Sequence, residues 1–179
     1  PIMGYDGSYN WHHVGPDVNG PPIKPNIEFG EIMTMSRQGN RFAVATPSYD
    51  NGEVTIWERS SDNEWTTVAN RIRGTNSIVS VGLSISLSKT GAFIAVASSA
   101  GVTVYKENSS TEKWEVFGDN TIGLLPSTEV IKVVLTDDAK GVAMLVTGDF
   151  GAKVMVYEYT KQANEAKENL WILRGSEIP

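Results

Sequence analysis

Apolar and polar residues alternate along much of this chain with a period of two. That is the period at which a strand sends successive side chains to opposite faces. Such runs begin at Ile32, Met33 and Met35, at Leu83, Ile85 and Leu87, and at Ile131, Val133 and Leu135. Each is followed by a Ser or Thr and a Gly region, at 36–39, 88–91 and 136–141. Next comes an apolar run rich in small residues: Phe42-Ala43-Val44-Ala45, Ile94-Ala95-Val96-Ala97 and Ala143-Met144-Leu145-Val146. A turn leads to Val54–Glu58, Val102–Lys106 and Val154–Glu158, and a polar loop to Trp65, Trp114 and Trp171. Each unit therefore predicts four short strands.

The middle runs are apolar on both faces, as a strand buried between packed sheets should be, and their alanines admit a close neighbour. Asp50-Asn51-Gly52 is the strongest turn signal, because Asn-Gly adopts the positive φ a tight hairpin demands. Ala100-Gly101 and Phe150-Gly151 stand at the corresponding places. Only residues 160–169, "TKQANEAKEN", have helical composition. Without an apolar stripe they predict a long loop with at most one helical turn.

A fourth Trp segment, Trp11–Gly20, precedes the three units, and the Trp spacings are 54, 49 and 57 residues. Periods of that length belong to blade-type β repeats. The expected fold is all-β in one domain: a propeller-like array of three four-stranded antiparallel blades with an extra terminal strand. The units span about 21–74, 75–123 and 124–179. Four Trp strands for three units leave one without a mate. An unpaired edge bearing a Trp is something natural proteins avoid. That strand is expected to pair in an unusual three-bladed closure or, the favoured reading, with another chain. Strand addition from a neighbour is head-to-tail and generates rings or filaments. The assembly residues are then Trp11, Val14, Trp171 and Leu173.

The pattern W-x3-G-x2-I-x-G, a strand, S-x2-G, A-V-A and V-x-V-Y-E resembles tandem β-propeller repeats of the FG-GAP kind. The first unit comes nearest, with Phe29-Gly30 and Ala45-Thr46-Pro47; the second keeps Val81-Gly82 and Ala97-Ser98-Ser99, and the third has lost both. The resemblance implies the propeller fold. Blades of that family often carry an Asp-x-Asp-x-Asp-Gly calcium loop after the second strand. Here those turns read "PSYDNGE", "SSAGV" and "TGDFGAK", without three spaced oxygens, so calcium is not carried over.

Composition narrows the function classes. The chain has 179 residues, 40% of them hydrophobic and 20% charged, which fits a globular domain. A net charge of −6 argues against nucleic acid as a partner, and no apolar run is long enough to insert in a membrane as a helix. With no cysteine there is no disulfide or thiol chemistry. The sequon Asn108-Ser109-Ser110 lies in a polar loop and makes Asn108 a glycosylation candidate, a small push toward an extracellular or cell-surface location, with an intracellular shell as the alternative.

Candidate chemistry is sparse. His12 and His13 are neighbours on a strand and point to opposite faces, so they do not readily chelate one metal. Asp137-Asp138 sit in a turn that favours Asp for its own backbone bonds, and Glu28 with Glu31 flank a strand start. No nucleophile elbow or phosphate loop exists. Trp57, Tyr105 and Tyr157 recur at one repeat position, which favours packing over a sugar-binding face. The sequence thus points to a structural protein, not an enzyme, with no cofactor and no metal: a homo-oligomeric protomer of a fibre, shell or surface layer. A propeller module binding protein or carbohydrate through its variable loops 20–26 and 160–169 is the second reading, with glycans or surface proteins as partners.

Overall fold

The computed structural model describes residues 2–5, 7, 10–19, 29–118, 121–149, 151–161 and 169–175, without the side chains of Trp11 and Asn169. Its regular structure is β throughout. Strands β1 (Met3–Tyr5) and β2 (Trp11–His13) form a hairpin. The first blade is the meander β3 (Ile32–Met35), β4 (Arg41–Thr46), β5 (Glu53–Arg59) and β6 (Trp65–Thr67), with β7 (Ile72–Arg73) pairing the start of β5. The second is β8 (Ile85–Leu87), β9 (Phe93–Ser98), β10 (Gly101–Asn108) and β11 (Lys113–Val116), with β12 (Ile122–Gly123) pairing the start of β10. The third is β13 (Thr128–Leu135), β14 (Gly141–Gly148), β15 (Gly151–Lys161) and β16 (Asn169–Leu173). The array of four-stranded antiparallel blades expected from the repeat is therefore the observed fold.

The blades stack face to face. Ala43, Ala45, Val54 and Ile56 of the first meet Ile85, Leu87, Ile94, Val96 and Trp114 of the second. Ala95, Ala97, Val102 and Val104 of the second meet Val133, Leu135, Val142, Met144 and Trp171 of the third. The alanines are small for a reason: the Val81-Gly82 segment lies on Ala45, so close that a Cβ at Gly82 would fall 2.6 Å from the Ala45 Cβ. Ser84 and Ser86 add a polar seam, their hydroxyls accepting from the Val133 and Leu135 amides at 3.0 Å each. The turns after the inner strands are also joined in series, Gln38 N–H to the Lys89 carbonyl and Lys89 N–H to that of Asp137.

Two expectations change. The Trp11 strand has its mate inside the chain, since Trp11 pairs with Tyr5 as Trp65, Trp114 and Trp171 pair with Arg59, Glu107 and Tyr159. Three residues on, the Val14, Val68, Phe117 and Arg174 amides donate to Ile2, Ile56, Val104 and Val156 in one register. Residues 2–5 and 11–14 thus form the outer half of a fourth unit rather than a lone strand. Within 160–169, strand continues to Lys161 and resumes at Asn169, with Thr160 opposite Leu170; residues 162–168 lie outside the described residues.

Candidate functional site

The tryptophans make an interaction that recurs in every unit. The Trp65 indole donates to the Val14 carbonyl at 3.2 Å, Trp114 to Val68 at 3.3 Å and Trp171 to Phe117 at 3.3 Å. Val14, Val68 and Phe117 each stand three residues after the Trp of the preceding unit. Each indole therefore buries its ring between two blades and satisfies its one donor on the outer strand of the blade before it. The expected site residues Val14 and Trp171 belong to this series as acceptor and donor, and both are buried. Leu173 lies beside Tyr157 near the end of β16 and is exposed. The Trp11 side chain lies outside the described residues.

Among the described residues, one face lacks the cover the repeat gives its equivalents. Ala43 and Ala45 pair with Ile56 and Val54, Ala95 and Ala97 with Val104 and Val102, and Ala143 and Leu145 with Val156 and Val154. Ala95, Ala97, Val102 and Val104 are 0–1% exposed, whereas Val156 is 38% exposed and its three companions are half-buried. At the other end the hairpin covers only the outer part of the first blade. Phe42, Trp57 and Trp65 are buried there, with Phe42 stacked on Trp57 at 5.1 Å. Met33 and Met35, counterparts of buried Ile85 and Leu87, are 60% and 43% exposed. Met3 and Tyr5 on the hairpin are exposed as well.

Charged groups concentrate between the first two blades. Arg41, nearly buried, bonds Glu58 of its own blade and Glu107 of the next, and also the Gly91 carbonyl. Burial alone would lower its pKa, but the hydrogen bonds it donates to the two carboxylates, with their charge, outweigh that and raise it. At the opposite end of β5, Glu53 accepts from Arg71 at 2.7 Å and from Arg73 at 2.8 Å. These residues carried no expectation. The available signal was a break in the repeat, since "RIR" at 71–73 stands where the second unit has "TIG" at 121–123.

The remaining candidates are scattered. His12 is exposed, and His13 lies 3.2 Å from Asp17. Asp137 pairs with Arg37, and Asp138 accepts from the Thr136 hydroxyl at 2.7 Å and the Lys140 amide at 3.1 Å. Those bonds hold the Asp138 carboxyl below the usual carboxylate range. Glu31 is exposed; Glu28 and the loop 20–26 lie outside the described residues. Asn108 is at the end of β10, donating to Glu115 at 2.9 Å and accepting from the Ser110 amide. Trp57, Tyr105 and Tyr157 pack against the blade cores, and burial pushes the Tyr105 hydroxyl's pKa up. Among the described residues no three His, Asp or Glu side chains gather as a metal site.

No family model matches the sequence, and no curated protein matches it. Solved structures do match in fold. A putative 6-phosphogluconolactonase from Bacteroides uniformis aligns over 82% of this chain and 39% of its own, at 17% identity and a TM-score of 0.53. Kuenenia stuttgartiensis hydrazine synthase aligns over 87% and 38%, at 14% identity and a TM-score of 0.50. KlAtg21, in complex with the coiled coil of AgAtg16, aligns over 71% and 39%, at 14% identity and a TM-score of 0.52. The fold is that of a β-propeller. The chain spans about two fifths of the length of these structures. The likeness also corrects the expectation that the chain is not an enzyme. Enzymes are built on these blades, at an identity here that carries the fold and not the reaction.

Proposed function

We propose that this chain is a self-assembling propeller protomer of the FG-GAP-like kind, and that copies pack head to tail as its own blades do. The observation that carries the reading is the uncovered face of the third blade. Ala143, Leu145, Val154 and Val156 keep the apolar character of four residues that the second blade buries completely. Covering a Val or Leu side chain stabilises by about 1.5–3 kcal/mol, so the face favours a partner of its own kind. The complement is the exposed side of the hairpin, where Met3 and Tyr5 stand at the positions of Tyr105 and Glu107. In the repeat, the acceptor for the next indole is the carbonyl three residues after Trp171, that of Arg174. The Trp that a second copy brings in register is Trp11.

Light scattering on the intact chain tests this. Oligomers that grow with concentration are expected, and Val156→Glu is expected to yield monomers of unchanged melting temperature. Monomers of the unaltered chain at every concentration would refute it. Under this reading the chain works at a cell surface or outside the cell, with Asn108, at the end of β10 before an exposed turn, as the point of glycan attachment. A second reading, a binding module, is favoured by the charged groove at Arg71 and Arg73.

A further inference from the structure

We propose that Arg71 and Arg73 form a binding site for one small anionic group, a carboxylate or a phosphate. The site does not depend on assembly of the chain. Arg71 and Arg73 line an open cavity of about 650 Å³ with Thr67, Ala69 and Asn70. Ile72 between them turns the other way, into the core. Glu53 stands behind the pair, 8% exposed, and takes Arg71 Nη1 on one oxygen and Arg73 Nε on the other. One negative charge thus holds two positive ones, and the trio keeps a net charge of +1. Among the described residues, Nε and Nη2 of Arg71 and both Nη of Arg73 have no acceptor. These are the forked donors that match the oxygens of a carboxylate or phosphate.

The repeat supplies an internal control. In the second unit Ile122 and Gly123 pair with Val102 and Gly101 in the register that Ile72 and Arg73 use with Val54 and Glu53. That unit builds the same strand pair with Thr121, Gly123 and Gly101, without a charge. The fold therefore does not require the Arg-Glu-Arg arrangement. Burying a carboxylate to no structural end is unfavourable. Fixing two guanidinium groups at the mouth of a cavity is an end that accounts for it.

The neighbouring surface sets the size of the ligand. Beyond Thr67, Ala69 and Asn70 the groove continues past Glu58, Glu107 and Glu112. Asp50 lines a smaller cavity on the far side of Arg73. A polyanion laid across these carboxylates would be repelled, whereas a single anionic group at the arginine end is not.

The test is an NMR titration of the intact chain, following the arginine Nε–Hε signals with inorganic phosphate and, separately, with acetate, at constant ionic strength. Saturable shifts of the Arg71 and Arg73 signals at millimolar anion are expected. Arg73→Gln, which leaves Glu53 its Arg71 partner, is expected to weaken binding by about tenfold. The double variant Arg71→Gln/Arg73→Gln is expected to abolish it. Response to phosphate alone makes the ligand a phosphate, response to acetate alone makes it a carboxylate, and response to both supports the shared chemistry. No saturable response to either anion, or an unchanged response in folded Arg73→Gln, overturns the proposal.

Discussion

Trp114 fills the seam between the first two blades with its ring and ties it with its nitrogen. Trp114→Phe removes the indole donor to a part-buried Val68 carbonyl and leaves space beside Ile94 and Val96. A loss of about 2 kcal/mol is expected in urea denaturation, and a loss within experimental error would contradict the latch. Arg41 is the polar counterpart. Arg41→Gln leaves Glu58 and Glu107 facing each other; with Glu58 partly exposed, the expected destabilisation is about 2 kcal/mol at neutral pH. Asp138 makes a sharper test of local chemistry. Its pKa is depressed in the folded chain, so folding favours the ionised form. That contribution is full above the ordinary carboxylate pKa and fades as pH falls through the depressed one. Thr136→Val is expected to raise the Asp138 value in an NMR titration, and an unmoved value would remove Thr136 as its cause. At this scale the sequence showed the tryptophans by their spacing. It could not show Arg41 or Glu53, whose partners lie on other strands and whose neighbours read as ordinary surface charge.

Strands were legible where one face is buried, because burial imposes the period of two on Ile85 and Leu87 and on Val133 and Leu135. They were less legible where small polar residues do structural work. Ser84 looks like the end of the turn before β8 and Ser86 like its wet side, yet they accept the Val133 and Leu135 amides across the blade boundary. Ser86→Ala leaves the Leu135 amide unpaired, and a loss of about 1–3 kcal/mol is expected. Faster hydrogen exchange confined to β13 would locate the effect there. The Asn51-Gly52 turn was read from its chemistry, and Asp50, Asn51 and Gly52 do take φ of 43°, 72° and 94°. Its length was not foreseen: Thr46 pairs with Glu53, so a six-residue loop stands where the other units turn in two. The longer loop reaches the Val81 backbone, and a Cβ at Gly52 would lie 2.2 Å from its nitrogen. That contact involves two units, which no local pattern encodes.

The count of four Trp segments to three units is the most informative number in the sequence, and it leaves out the strand that pairs with the first of them. Met3–Tyr5 is brief and carries Gly4 where the other units have a charged residue, so the hairpin's first strand gave little signal of its own. With it, residues 2–5 and 11–14 become half a blade, and the question shifts from a missing strand to an uncovered face. That face carries the whole-molecule proposal: among the described residues, the third blade leaves open a surface whose equivalent the second blade buries. The absence of cysteine allows a direct test. Met3→Cys and Val156→Cys are placed singly in two samples of the chain, which are mixed and treated with a short bis-maleimide. Head-to-tail packing predicts a covalent heterodimer on a denaturing gel, lost when Leu145→Glu accompanies Val156→Cys. Monomer alone, at concentrations where the thiols are fully reactive, would contradict it.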